Sequence, residues 1–375
     1  MTALLPQPDP EGLLEYSVVY TDRALNHMSL RFQGVMRDIS RIVKTVYHAR
    51  SAVIVPGSGT FGMEAVARQF ATDQRCLIIR NGWFSYRWTQ ILETGRIASD
   101  TRVLKARRSG EGAEAPFAPV PLAEALAAIR EFRPQVVFAP HVETSAGMIL
   151  PDDYLAAVAA AVHEVGGLFV LDCIASGTVW VNMVATGVDV LVSAPQKGWS
   201  GPPCCGIVAL GERARARIDE TTSSSFACDL RKWLQIMEAY ESGAYAYHAT
   251  MPTDALAVVR DVMLETEKLG FGMIAERQRA LGAQVREMLS KRGFRSVAAD
   301  GFAAPGVVVS YTTEPAIQSG KAFAQAGLQI AAGVPLQCDE GPDFRTFRIG
   351  LFGLDKLLDI PRTLASLTAA LDRIR

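Results

Sequence analysis

The sequence is short of the residues that build metal centres. Its five histidines are scattered through 375 residues, and six cysteines (Cys76, Cys173, Cys204, Cys205, Cys228 and Cys338) show no CxxC spacing and no histidine partners at metal-ligand intervals. Neither a zinc site nor a disulfide framework is expected, and Cys204-Cys205 reads as a pair of small buried residues. An excess of one charge sign is also missing. The formal net charge is −1, which supplies no basic face for nucleic acid and no acidic tail. No segment is long and apolar enough to span a bilayer; the best, Tyr154 to Val170, is interrupted by His163, Glu164 and a glycine pair. The start, Met1-Thr2-Ala3-Leu4-Leu5-Pro6, has neither the positive region nor the apolar run of a signal peptide. With reduced thiols, that leads to the expectation of a cytoplasmic protein. Internal repeats and low-complexity linkers are absent too.

What is present is an alternation of helical and strand patterns. Phe32 to Tyr47 carries Val35, Met36, Ile39, Ile42, Val43 and Val46 at helical spacing. Ala52–Val55, Cys76–Ile79, Gln135–Ala139, Leu168–Leu171, Val188–Val192 and Cys205–Leu210 read as short buried strands. Helices are expected between them at Met63–Phe70, Tyr86–Thr94, Leu122–Glu131 and Asp153–Val165. This is the pattern of an α/β domain with a largely parallel sheet flanked by helices. After Leu210 the pattern loosens. Thr221–Ser225 and Glu241–Ala244 look like loops. A helical tract from Asp254 to Lys291, strands near Val307–Tyr311 and Thr346–Gly350, and a final helix suggest a smaller α+β domain. The expected division is an N-terminal segment 1–25, a large domain 26–255 and a small domain 256–375.

The chemistry gathers where strands end. Val190-Leu191-Val192-Ser193-Ala194-Pro195-Gln196-Lys197-Gly198-Trp199 places one lysine between a buried strand and a tight loop. Burial there lowers an ammonium pKa and leaves the amine able to attack an aldehyde. A lysine just past a strand is more commonly a solvated loop residue. Gly57-Ser58-Gly59-Thr60-Phe61-Gly62 follows a strand and opens a helix, a context for anion binding by backbone amides. It also matches G-x-G-x-x-G, but the next strand ends Ile79-Arg80-Asn81-Gly82, without the acid that would hold a dinucleotide ribose. A turn that serves packing alone is the other reading. Asp172 closes the strand Leu168–Leu171, as a helix cap or as a partner for a cationic ring nitrogen. His141-Val142-Glu143-Thr144-Ser145-Ala146-Gly147 brings hydroxyls to the same edge, as turn chemistry or as ligand contacts.

A phosphate cradle, hydroxyls, a carboxylate and a lysine follow one another in the order found in pyridoxal-phosphate enzymes. The chain resembles the fold-type I, class V aminotransferases, especially the alanine–glyoxylate and serine–pyruvate group, from about Asn26 to the C-terminus. Ser193-Ala194-Pro195-Gln196-Lys197-Gly198 with Pro202-Pro203, Asp172-Cys173-Ile174-Ala175-Ser176, Glu143-Thr144-Ser145-Ala146-Gly147 and Phe347-Arg348-Ile349-Gly350-Leu351 carry the likeness. It implies a PLP-transferase fold with a seven-stranded-type sheet, pyridoxal 5′-phosphate as cofactor and no metal. It implies that Lys197 forms the Schiff base and shuttles the proton, while Asp172 pairs with the pyridinium nitrogen. Thr144 would bond the ring hydroxyl. Ser58, Gly59, Thr60 and Gln196 would hold the phosphate. Phe84, in Asn81-Gly82-Trp83-Phe84, would stack on one ring face, with Ile174 under the other. Arg348 would clamp a substrate carboxylate. Tyr247 and Thr250, in Tyr247-His248-Ala249-Thr250, match positions that cross a homodimer to the partner's cofactor phosphate.

The implied reaction is ping-pong transfer of an amino group from a small amino acid to a 2-oxo acid such as glyoxylate or pyruvate. One segment departs from the family. A Gly-Pro-rich approach to the substrate is replaced by Glu15-Tyr16-Ser17-Val18-Val19-Tyr20-Thr21-Asp22-Arg23. Arg23 there would meet a second acidic group, which keeps aminophosphonate, aminosulfonate or dicarboxylic donors open. Arg87 and Arg345 are further candidates, although surface or structural roles are commoner. A lyase, racemase or desulfurase of the same fold is an alternative, with Cys338 as the loop cysteine a desulfurase needs. A nicotinamide dehydrogenase or a phosphate-binding module built on Gly57–Gly62 is another.

Overall fold

In a computed structural model, residues 6–374 are described; residues 1–5 of the N-terminal segment and residue 375 lie outside the described residues. The chain runs through α1 Leu30–Tyr47, β1 Ser51–Pro56, α2 Gly59–Phe70, β2 Arg75–Arg80, α3 Trp83–Gly95 and β3 Asp100–Lys105. A short ribbon follows, β4 Arg107–Arg108 with β5 Phe117–Ala118, then α4 Leu122–Phe132 and β6 Val136–Pro140. A small hairpin of β7 Val142–Glu143 and β8 Met148–Ile149 leads to α5 Asp152–Glu164 and β9 Leu168–Asp172. Then come α6 Met183–Thr186, β10 Val190–Ser193, β11 Cys205–Leu210, α7 Glu212–Arg217, α8 Leu230–Glu241 and α9 Thr253–Leu269. The C-terminal part contains α10 Phe271–Lys291, β12 Val307–Tyr311, β13 Ala331–Ala332, β14 Thr346–Gly350 and a closing helix, Ile360–Ile374.

Seven strands form the main sheet in the order β1-β11-β10-β9-β6-β2-β3. β10, β9, β6, β2 and β3 pair in parallel, and β11 is antiparallel to both of its neighbours. The reversal at β11 follows from loop length. A parallel return needs a crossover of about a dozen residues or more, usually helical. The loop between Ser193 and Cys205 holds no helix and can only fold back. β1 and β10, both antiparallel to β11, therefore run the same way. The C-terminal ends of β1, β2, β6, β9 and β10 share one edge, the edge at which open α/β sheets bind ligands.

Both faces of the sheet are covered. The apolar stripe of α1, Val35, Met36, Ile39, Ile42 and Val43, is buried against it, as an amphipathic helix requires. Leu256, Val259 and Met263 on α9 belong to the same core. A second core gathers Ile274, Leu281, Val285 and Leu289 of α10 with Val308, Phe323, Phe347 and Leu371.

Several elements differ from the sequence expectation. β3 and α8 were not anticipated. β3 is a polar edge strand with no fully buried position, so it lacks the apolar run that reveals central strands. The helix expected at Met63–Phe70 begins at Gly59, because Gly59 and Thr60 are helical despite low propensity. The tract Asp254–Lys291 is two helices, broken at Gly270, whose φ is +93°.

Candidate active site

Five strand ends deliver residues to one cavity of about 100 Å³. Ser58, Gly59 and Thr60 come from the turn after β1, Phe84 and Arg87 from α3 after β2, and Val142 and Thr144 from the hairpin after β6. Asp172 ends β9, Ile174 and Ala175 follow it, and Gln196 and Lys197 follow β10. A larger groove, about 540 Å³, runs past His163, Val184 and Arg213. Charged residues of its lining pair with one another, as Arg50 with Glu212 and Arg213 with Asp189, so size alone does not mark the site.

Lys197 is held by its loop. Lys197 O accepts from Ser200 N at 3.1 Å, and Pro195 O accepts from Gly201 N at 2.9 Å. Behind it the buried Trp199 ring packs 4.6 Å from Trp180. The Lys197 amine lies 5.8 Å from the centre of the Phe84 ring and 5.9 Å from that of Phe352. Burial pushes its pKa below the ordinary lysine value, and the nearby cations Arg87 and Arg348 push the same way against Asp172 and Glu143.

Asp172 is buried at the end of β9, and its Oδ1 accepts from Ile174 N at 2.9 Å. Burial raises its pKa to about 6, against the opposing hydrogen bond and the Lys197 charge. Burial thus moves the lysine pKa down and the aspartate pKa up, the kind of perturbation that gathers at functional sites.

Three features leave room for a ligand. Thr144 Oγ1 is buried and has no hydrogen-bond partner. Buried hydroxyls are normally satisfied, so this one awaits an acceptor or donor. No side chain caps the N-terminus of α2, where Ser58 is the N-cap, and uncapped helical amides attract anions. A Cβ on Gly59 would come within 2.6 Å of Ile174 Cδ1, so glycine is what lets that turn approach the wall. A phosphate, a ring hydroxyl and a ring nitrogen match the amides, the free hydroxyl and the carboxylate. The residues present fit pyridoxal phosphate.

Arg348 sits on β14, with its guanidinium carbon 5.4 Å from the centre of the Phe84 ring. Its Nε donates to Ala332 O at 2.8 Å, which fixes the plane of the fork. Burial lowers its pKa. Four residues offered by the sequence, Tyr247, Thr250, Arg23 and Arg345, do not line this cavity within one chain. Tyr247 is exposed, and its hydroxyl lies 3.1 Å from Thr250 Oγ1. Arg23 is exposed in the N-terminal segment. Arg345 is exposed as well.

Two residues were undervalued by sequence reasoning. Arg87 lines the cavity, donates from Nη1 to Thr60 Oγ1 at 3.1 Å and lies over the Phe84 ring at 5.4 Å. Its spacing of three from Phe84 on a helix was the available signal, since such residues share a face. Glu143 is fully buried behind the cavity wall. Cys338, the loop cysteine, is also buried, and burial pushes its thiol up to about 12. It offers no exposed thiolate for desulfurase chemistry.

No family model matches the chain. It is 27% identical over 359 residues to 2-aminoethylphosphonate–pyruvate transaminase 2 of Paraburkholderia xenovorans, covering 94% of this chain and 90% of the relative. It is 23% identical over 362 residues to the alanine–glyoxylate aminotransferase of Mus musculus, covering 94% and 83%. Among solved structures, the alanine–glyoxylate aminotransferase from Nostoc sp. superposes with a TM-score of 0.76 at 22% identity, covering 92% of this chain and 89% of that one. These homologues and structural neighbours are class V aminotransferases that use pyridoxal phosphate, and the shared fold is fold type I.

Proposed function

We propose that this homologue of the class V aminotransferases is itself a pyridoxal-phosphate-dependent aminotransferase. It moves an amino group from a small amino compound to a 2-oxo acid, with pyruvate or glyoxylate as acceptor. One observation carries the reading. Lys197, with its pKa lowered, shares a cavity with buried Asp172, the unpartnered Thr144 hydroxyl and the uncapped end of α2.

When bound, pyridoxal phosphate supplies an aldehyde for amines and a ring that takes up the electron pair left on a deprotonated carbon. The chain does the rest. Ser58, Gly59, Thr60 and Gln196 hold the phosphate, joined by Arg87 through Thr60. Asp172 holds the ring nitrogen, Thr144 the ring hydroxyl, and Phe84 and Ile174 the two faces. Lys197 is the amine for the aldehyde and the base that takes and returns the proton at the substrate α-carbon. Arg348 orients a substrate carboxylate through its free nitrogens. Phe84 and Phe352 keep water from the amine, which preserves its lowered pKa.

The reading includes a homodimer with shared sites. Tyr247 and Thr250 are exposed and do not line their own cavity, and the N-terminal segment exposes Leu13, Tyr16 and Val18 almost completely and Leu14 largely. Isolated apolar side chains on a surface need no partner, but such a cluster does. It includes a large domain, 26–255, and a small one, 256–375, with α9 bridging back to the large core. It also includes a cytoplasmic location, supported by six free cysteines; among the described residues no helix is long and apolar enough to cross a membrane.

A second reading of the donor has its own support. Arg87 and Arg348 flank the same ring, and the Paraburkholderia relative is named for an aminophosphonate. A donor with a phosphonate or second carboxylate would use both cations. The test is a half-reaction screen. Alanine, serine and 2-aminoethylphosphonate are added singly to the cofactor-loaded protein, and the cofactor absorbance is followed before pyruvate or glyoxylate is supplied. Conversion by a donor and reversal by an acceptor support transamination. Product formation without any acceptor favours a lyase or racemase.

A further inference from the structure

Two helix N-termini face the cavity, and the chain treats them in opposite ways. α2 is left uncapped. α3 is sealed by Glu143, which lies on β7 and not on the helix. Glu143 Oε1 accepts from Phe84 N at 3.2 Å, from Ser145 N at 3.0 Å and from Ser145 Oγ at 2.7 Å. Its Oε2 accepts from Ser85 N at 2.9 Å and lies 2.7 Å from Ser85 Oγ. Ser145 Oγ in turn accepts from Trp83 N at 2.9 Å, and Ser85 Oγ accepts from Asn81 N and Gly82 N at 2.9 and 3.0 Å. Every backbone N–H from Asn81 to Ser85 is thereby satisfied. A Cβ on Gly82 would meet Ser145 Oγ at 2.1 Å and Glu143 Cγ at 2.7 Å, so the carboxylate and the turn are in direct contact.

We propose that Glu143 is a positioning residue that fixes the Phe84 ring against the Thr144 wall, so that the slot for a planar heterocycle is formed before any ligand enters. The inference rests on the aminotransferase reading for the identity of that heterocycle. Phe84 is the second residue of α3, and Thr144 adjoins Glu143 in the chain. The carboxylate ties the two walls into one body. Its placement at the α3 dipole also leaves the α2 amides as the open anion site. A glutamine has the same shape but presents an NH₂ where one of the two oxygens now accepts. That NH₂ must face the N–H of Ser85, or those of Phe84 and Ser145. Two donors face each other, the first turn shifts, and the ring shifts with it.

The test is a double-mutant cycle on the full chain, read as the equilibrium dissociation constant of pyridoxal phosphate from the apo-protein by tryptophan fluorescence. Glu143→Gln is expected to weaken binding about tenfold in the native background, and by less than about twofold in the Phe84→Ala background, because its effect travels through that ring. Thermal stability of the apo-protein should fall no further than in Asp229→Ala, which removes the side-chain cap of α8. Equal losses in both backgrounds, or unchanged binding in Glu143→Gln, overturn the proposal and leave the aminotransferase reading standing. If Glu143→Gln does not fold, Ser145→Ala replaces it; the same background dependence supports the proposal and its absence overturns it. A wild-type protein that does not bind pyridoxal phosphate overturns the functional reading, and this inference with it.

Discussion

The Lys197 amine stands 5.8 Å from the centre of the Phe84 ring, and the Arg348 guanidinium carbon stands 5.4 Å from the same point. The lysine belongs to the loop after β10 and the arginine to β14, so elements from both cores converge on one aromatic ring. Both cations lie near this one ring. Burial holds the lysine pKa below its ordinary value.

Phe84→Ala removes that platform. Pyridoxal phosphate affinity is expected to fall by about 1–2 kcal/mol, roughly tenfold, while Phe84→Trp keeps or improves it. Fluorescence titration of the apo-proteins measures both. Equal affinity in all three would show that the ring does not touch the cofactor.

Arg348→Ala should raise KM for a carboxylate-bearing donor by about tenfold or more, because a half-buried, charge-assisted hydrogen-bond partner is lost. Arg348→Lys should recover only part, since an ammonium cannot reproduce the fork. Steady-state kinetics with alanine would check this. A donor without an α-carboxylate is expected to be affected less, which separates carboxylate recognition from general damage.

His141 gives a pH signature unrelated to turnover. It is buried with Nδ1 2.7 Å from Ser176 Oγ, and burial lowers its pKa to about 3 from an ordinary 6.5. The folded chain keeps it neutral, so below pH 6.5 the unfolded chain takes up a proton that the folded chain refuses. The stability it lends above pH 6.5 is lost as pH falls towards 3, at up to about 1.4 kcal/mol per pH unit. Asparagine can mimic Nδ1 without titrating. The stability difference between wild type and His141→Asn should therefore move against the wild type by about 2 kcal/mol between pH 7.5 and 5.0. Denaturant unfolding at the two pH values measures it, and a pH-independent difference would contradict the assignment.

The strand ends were legible in the sequence because each buried strand is an apolar run that stops at a polar or glycine-rich turn. That pattern alone places Ser58, Thr144, Asp172 and Lys197 at one edge. β3 was not legible, since Asp100, Thr101 and Arg102 at an exposed sheet edge carry no apolar run. Glu143 was visible only as a motif letter. Its partners Phe84 and Ser85 lie 59 and 58 residues away, and no local pattern encodes a cap supplied from another strand. Tyr247 and Thr250 posed the converse problem. Their expected role needs a second chain, which the fold of one chain does not display.

Shared sites make a hybrid experiment decisive for the dimer. Lys197→Ala and Tyr247→Ala homodimers should each be severely impaired. Mixed and reassociated, they should recover up to about a quarter of wild-type activity, since random pairing restores one intact site in half the dimers. No recovery, with reassociation verified by sedimentation, would confine each site to one chain.

The central claim concerns one amine. Pyridoxal phosphate is added to the apo-protein, the mixture is reduced with borohydride, and the digested peptides are mapped by mass spectrometry. The account predicts one phosphopyridoxyl group per chain, on the peptide containing Lys197. A label on another lysine, or no stoichiometric label, would contradict it.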